Sequence, residues 1–252
     1  MNSNNKKQSL TILSWNVNGF ILKKSNILNY LKLLRADVVF LQETHVGPSA
    51  NCPAGSIQIQ GLYPDYDWAV FTTFKNTCRG VAVLFREGLG CEGLRVVGDD
   101  KGRYLIISCK IQEKEFEFVN VYNPTDELID FNQFRDDLLS PSEATYFVIG
   151  GDFNTVMDAE FDRTSNIRNR GHRVRFTGLM SFLETFNLVD IWRWLYPEEK
   201  SFTYFDVKGK SRLDYFFLRC KNLTSLQLHR GILTIPITPT VFTIAVPSPY
   251  LI

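Results

Sequence analysis

The 252-residue sequence predicts an α+β (α/β) domain in which two β-sheets pack face to face with helices outside. Short runs rich in Val, Ile, Phe and Tyr recur along the chain, whereas helical spacing of apolar residues appears in few stretches. No linker, low-complexity segment or short-period repeat divides those runs, so one domain is expected. Hydrophobic residues make up 44% and charged residues 22%, an ordinary balance for a globular core.

In order along the chain, Leu10-Thr-Ile-Leu-Ser-Trp-Asn16 reads as a strand that ends in polar residues before Gly19. Asn16 and Asn18 are two apart and share one face of the extended chain; two asparagines also serve simply to end a strand before a turn. Ile27, Leu28, Leu31 and Leu34 place a helix within 23–35. Asp37 to Thr44 is a second strand, with Glu43 at its C-terminal end. Residues 46–66 are rich in Gly, Pro and Ser and read as a long loop. Strands follow at 68–74, 80–85, 104–111 and 116–122, the last two joined by Gln112-Glu-Lys-Glu115. Tyr122 stands at a strand end just before Pro124, which stops the ladder. Asp126 is placed to cap a helix running to about Leu139.

The stretch Phe147-Val-Ile-Gly-Gly-Asp-Phe-Asn154 combines a buried-type strand, a glycine pair and then Asp152 and Asn154 on one face. An acid and an amide beside glycines suit activation of water at a phosphate; the same residues also make ordinary hairpin turns. Residues 159–175 carry Arg163, Arg168, Arg170, Arg173 and Arg175, either a solvated loop or one that contacts phosphates. A helix at 176–186 and strands at 201–205 and 212–218 complete the pattern, with Asp214 set in an apolar run where a charge needs a partner.

The formal net charge of +1 argues against a wholly basic nucleic-acid binder while leaving room for a local patch. No apolar run is long enough to span a bilayer, so no membrane partner is expected. Met1 to Ser9 lacks the apolar core of a secretory signal, and residues 1–9 are expected to be disordered. Five scattered cysteines without a CxxC predict reduced thiols in an intracellular protein rather than a zinc site. If the strand ends converge, Asn16, Asn18, Glu43, Tyr122, Asp152, Asn154 and Asp214 form an oxygen-rich pocket. Such a pocket suits a hard cation, Mg²⁺ or Mn²⁺, and phosphoester hydrolysis.

Ser14-Trp-Asn-Val-Asn-Gly19, Leu41-Gln-Glu43, Val121-Tyr122, Gly151-Asp-Phe-Asn154 and Arg212-Leu-Asp214-Tyr215 occur in an order that resembles the endonuclease/exonuclease/phosphatase superfamily. The likeness covers about residues 9–223. Within the superfamily it is most similar to the apurinic-endonuclease-like domain of LINE-type retrotransposons, with exonuclease III and apurinic endonucleases as relatives. Asp162-Arg163 and Ser201-Phe-Thr203 point to that branch. The resemblance implies a DNase I-like four-layer sandwich with two mixed sheets, and a domain over 10–223 followed by a divergent tail over 224–252. It implies that Glu43 and Asn16 bind Mg²⁺ or Mn²⁺, and that Asp152, assisted by Asn154, positions or deprotonates water. It further implies that Tyr122 contacts the scissile phosphate or assists the transition state, and that Asp214 orients and polarises a histidine. Asn18, Thr203, Arg163, Arg168 and Arg170 are the implied phosphate and DNA contacts. The substrate implied is DNA, and the chain is expected to act as a monomer, in the nucleus when acting on DNA.

The resemblance fails at the C-terminus. Where the family carries Ser-Asp-His, this chain has Thr238-Pro-Thr240, and its three histidines, His45, His172 and His229, read as loop or surface residues. Four prolines after Thr234 argue against a closing strand there. Slow cleavage, or a catalytically weak nucleic-acid-binding remnant, is the expectation that follows. A phosphatase of the same superfamily is a further alternative.

Overall fold

The computed structural model describes residues 10–57, 65–138, 145–164 and 173–219, and the backbone of 9, 58–63, 170–172, 227–229, 232–236 and 243–245. The first sheet is laid down by β1 (Ser9–Asn16), β2 (Val38–Gln42), β3 (Ile57–Tyr63), β4 (Tyr66–Thr72) and β5 (Val81–Arg86), with α1 (Phe20–Leu34) crossing from β1 to β2. That crossover makes β1 and β2 parallel, with Asn16 level with Gln42. α1 ends at Arg35, in the left-handed conformation (φ 53°), whose N–H donates to the Leu31 carbonyl. β3 lies inside the stretch expected to be a loop. Its Ile57-Gln-Ile-Gln alternation is short and flanked by Gly and Pro, but it gains a partner in β4, reached by a tight turn that pairs Tyr63 with Tyr66.

The second sheet comprises β6 (Cys91–Gly98), β7 (Tyr104–Ile111), β8 (Lys114–Tyr122), β9 (Tyr146–Asp152), β10 (Leu188–Asp190) and β13 (Asp214–Arg219), in the order β10-β13-β9-β8-β7-β6. α2 (Phe131–Asp137) and α3 (Arg170–Thr185) cover its outer face, α4 (Ile191–Leu195) follows β10, and β11 (Tyr204–Asp206) and β12 (Gly209–Ser211) form a separate hairpin. β6 escapes sequence reading because it is an exposed edge strand interrupted by Gly93. α2 starts later than expected: Asp130 is its cap and accepts from the Asn132 N–H at 2.9 Å. Asp126 instead accepts from Arg79 at 2.9 Å. α3 starts six residues earlier than the apolar spacing indicates, inside the arginine-rich stretch.

The C-terminal region contributes β14 (Gln227–His229), β15 (Ile232–Pro236) and β16 (Thr243–Ala245), which extend the first sheet to β14-β15-β16-β1-β2-β5-β4-β3. β16 runs parallel to β1, with Ile12 level with Ile244. The prolines therefore do not prevent closing strands: β15, which ends on Pro236, and β16, between Pro239 and Pro247, both pair with β1. Thr238, Pro239 and Thr240 lie outside the described residues.

Period-two alternation sorts the side chains into layers. Val38 and Phe40 face the second sheet, where they meet Phe118, Val148 and Phe216. Val39 and Leu41 face the other way, toward Phe20, Ile27 and Leu31 of α1. On the far side, Val119, Phe147, Ile149 and Phe217 pack beneath Phe134 of α2 and Leu179 and Phe182 of α3. The result is four layers: helix, sheet, sheet, helices. A buried polar link crosses the central layer, with Gln42 Nε2 donating to Asn120 Oδ1 at 2.7 Å and Asn120 Nδ2 donating to the carbonyls of Leu41 and Ala82. It fixes the register between the sheets directly below the strand ends that carry the site.

Candidate active site

The site is assembled from strand ends of both sheets. Register places Tyr122 of β8 level with Asp152 of β9, and Asp152 level with Asp214 of β13. Gly151 lets the three strands approach. Its φ is +140°, and a Cβ there would stand 1.9 Å from the Val121 carbonyl oxygen, so only glycine fits. From the facing sheet, Asn16 ends β1 and Glu43 follows β2.

Asn16 ties the two sheets together. Its Nδ2 donates to Glu43 Oε1 at 3.2 Å and to Asp152 Oδ2 at 3.0 Å, and its Oδ1 accepts from the Asn18 N–H at 3.1 Å. Asn18 is exposed and left-handed (φ 44°), which brings its amide back to Asn16. The other Asp152 oxygen accepts from the Asn154 N–H at 2.9 Å, and Asn154 Nδ2 donates to the Asn123 carbonyl at 3.1 Å. The Tyr122 hydroxyl is hydrogen-bonded to Glu43. Thr203 receives the N–H groups of Leu213 and Asp214 on its hydroxyl oxygen, at 3.0 and 3.2 Å, and is hydrogen-bonded to the Asp214 carboxylate.

The electrostatics follow from crowding. Burial, with a smaller push from Glu43, raises Asp152 to about 6 despite the hydrogen bonds from Asn16 and Asn154. Burial and the Asp152 carboxylate raise Asp214 to about 8. Burial and Glu43 hold the Tyr122 phenol protonated far above its ordinary range. Among the described residues, the groups bonded to these carboxylates are amides, hydroxyls and His45; no Lys or Arg pairs with them.

Sequence reading missed two residues. His45 Nε2 lies 3.2 Å from Glu43 Oε2, although it follows Glu43 by only two positions in a loop. Left-handed backbone at both Glu43 and His45 folds the loop so that the side chains meet (φ 51° and 54°), and residue spacing carries no sign of that. Arg212 is the second. It donates to Asp162 at 2.9 and 3.0 Å and to Asp190, and Asp162 also receives Arg193 at 2.6 Å. This buried network anchors the start of β13, and so Asp214. The arginine-rich stretch divides. Arg163 is buried and its backbone bridges to Ser211, so it is not a solvated loop residue. Arg168 lies outside the described residues, and Arg170 opens α3.

Fold and site together define a four-layer sandwich protein with an acid-and-amide pocket at one edge of its two sheets. The chain belongs to the Endonuclease/Exonuclease/phosphatase family, whose sequence model matches residues 13–233. It is 27% identical over 228 residues to the transposon TX1 uncharacterized 149 kDa protein of Xenopus laevis, a match covering 87% of this chain and 17% of that protein. It is 29% identical over 245 residues to the exodeoxyribonuclease of Bacillus subtilis (strain 168), covering 82% of this chain and 87% of that enzyme. Among solved structures, the catalytic domain of APE2 from Xenopus laevis superposes with a TM-score of 0.66 at 18% identity, covering 94% of this chain and 93% of that one. At that identity the superposition speaks for the fold.

Proposed function

We propose that this chain is a nuclease that hydrolyses phosphodiester bonds in DNA, retrotransposon-derived and slow relative to family members that keep the C-terminal Ser-Asp-His. The observation that carries the reading is Asn16 Nδ2 spanning Glu43 and Asp152, which draws an acid from each sheet into one pocket beside Tyr122 and Asn154. Family membership and the similarity to a transposon protein and an exodeoxyribonuclease support DNA as substrate.

The donor set suits a hard divalent cation. No three His, Cys, Asp or Glu side chains among the described residues form a metal cage on their own. Mg²⁺ needs no such cage, because it binds through one or two carboxylates and keeps several waters. Glu43, helped by Asn16, is the proposed holder. Bound there, Mg²⁺ or Mn²⁺ supplies neutralisation of charge on the phosphate oxygens. Asp152, poised near neutrality, accepts a proton from water directed at phosphorus, and Asn154 fixes its orientation. Tyr122, held protonated, donates a hydrogen bond to a phosphate oxygen. Thr203 holds Asp214, and Asn18 and Arg163 flank the site for substrate phosphates. No helix among the described residues is long and apolar enough to cross a membrane. As part of the same reading, the chain works as a monomer on nuclear DNA.

One observation favours a second reading, a nucleic-acid-binding remnant: Asp214 faces Asp152 and Thr203, and no histidine faces it among the described residues. Supercoiled plasmid separates the two. Nicked circles that form with Mg²⁺ and cease on chelation support the nuclease. Binding without nicking at any Mg²⁺ or Mn²⁺ concentration supports the remnant.

A further inference from the structure

A cleft of about 320 Å³ opens between α2 and α3, on the side of the second sheet away from the first. Its wall includes Arg175, which is 8% exposed, and Asn123, which is 0% exposed. Among the described residues, Arg175 Nε and Asn123 Nδ2 are buried donors without an acceptor, whereas Asn123 Oδ1 is taken up by the Ile129 N–H at 3.2 Å. A buried guanidinium N–H without an acceptor is costly, and the cost falls if an anion enters. Arg135 reaches the same cleft from α2. The one carboxylate in the wall, Asp130, is committed to the Asn132 N–H at the start of α2. Burial lowers the pKa of Arg175.

The cleft also touches the catalytic edge. The Asn123 N–H donates to the Asp152 carbonyl at 2.8 Å, and its own carbonyl accepts from Asn154 Nδ2 at 3.1 Å. Asn123 thus has its backbone bonded to the end of β9 that carries the proposed base and its side chain in the cleft.

We propose that this cleft is a phosphate-binding subsite, in which Arg175, Arg135 and the Asn123 amide take a tetrahedral oxyanion. Phosphate fits because the groups left unpaired among the described residues of the wall, Arg175 Nε and Asn123 Nδ2, are donors, and Arg offers a fork that matches phosphate oxygens. The ligand is a phosphate of the DNA strand flanking the cleavage site, or a free phosphate with the same chemistry. Only the first source rests on the nuclease reading above.

The test uses the full chain, Arg175→Gln and Arg175→Lys, with two probes. Inorganic phosphate at millimolar concentration should raise the thermal midpoint of the natural chain and of Arg175→Lys, but not of Arg175→Gln. Binding of a short duplex, measured across salt, should lose about one unit of its log–log salt slope in Arg175→Gln. Should Arg175→Gln fail to fold, Ser181→Asp on the same wall places a carboxylate in the cleft and should abolish the phosphate response of a folded protein. A phosphate response without a slope change assigns a free phosphate; a slope change without a phosphate response assigns the DNA strand. No difference between natural and variant chains with either probe overturns the subsite. None of these readings depends on cleavage, so a chain that never cuts DNA leaves this test intact.

Discussion

Asp152 and Asp214 stand directly opposite each other on antiparallel neighbours, β9 and β13, and among the described residues no Lys or Arg pairs with either. Burial raises both carboxyls, Asp152 to about 6 with a smaller push from Glu43, and Asp214 to about 8 with a further push from the Asp152 carboxylate.

The first prediction concerns pH. Both folded-state values lie above the ordinary Asp value near 4, so the folded chain holds protons that the unfolded chain releases. Stability from this pair is therefore greatest at low pH, falls as pH rises from about 4 to about 8, and levels off above. Asp214→Asn removes one charge, and its gain in stability over the natural chain should grow by roughly 1–3 kcal/mol across that window. Urea unfolding at pH 5 and pH 8 measures it; a pH-independent difference would refute the repulsion. Added Mg²⁺ should flatten the natural chain's pH dependence.

The second concerns metal. Glu43→Gln keeps the shape of the side chain and its contact with Asn16 but removes the charge proposed to hold Mg²⁺. Isothermal titration should show Mg²⁺ affinity falling at least tenfold with the fold unchanged by circular dichroism. Equal affinity in both proteins removes Glu43 from the metal site.

The third concerns the anchor of β13. Arg212 is 3% exposed and Asp162 0% exposed, so truncating the arginine takes the cation from Asp190 and leaves the buried Asp162 with Arg193 alone. Arg212→Ala should cost roughly 3–5 kcal/mol in denaturant unfolding. A loss below about 1 kcal/mol would mean the network is not what positions Asp214.

The fourth concerns close approach. Gly151→Ala drives a methyl into the Val121 carbonyl and demands a φ that alanine avoids. Destabilisation of roughly 1–3 kcal/mol is expected, together with loss of cleavage as Tyr122 and Asp152 separate. A variant of natural stability and activity would show that β8 and β9 tolerate a wider spacing.

Much of this was legible in the sequence, because the features concerned are local. The alternation in Val38-Val-Phe-Leu41 and the run Val148-Ile149 before two glycines each announce a buried strand and where it stops. The proposed site residues were chosen on the same ground, polar groups placed just where strands end, and the register brings Tyr122, Asp152 and Asp214 level. What stayed hidden depends on partners far along the chain. β6 and β3 are strands because of the neighbours they pair with. His45 joins Glu43 through two left-handed residues, and Arg212 is an anchor only because Asp162 and Asp190 fold onto it. Asp130 rather than Asp126 caps α2, because Arg79, 47 residues earlier, takes Asp126.

The central claim is that Asp152 is the base of a working, if slow, phosphodiesterase. It is tested most directly by single-turnover cleavage of a duplex oligonucleotide in Mg²⁺ by the natural chain and by Asp152→Asn, which preserves the size of the side chain. The natural chain should cleave, and the variant should be slower by roughly 10²–10⁴-fold, the usual contribution of a positioned general base. Equal rates in the two proteins, or no cleavage by either, would contradict the account.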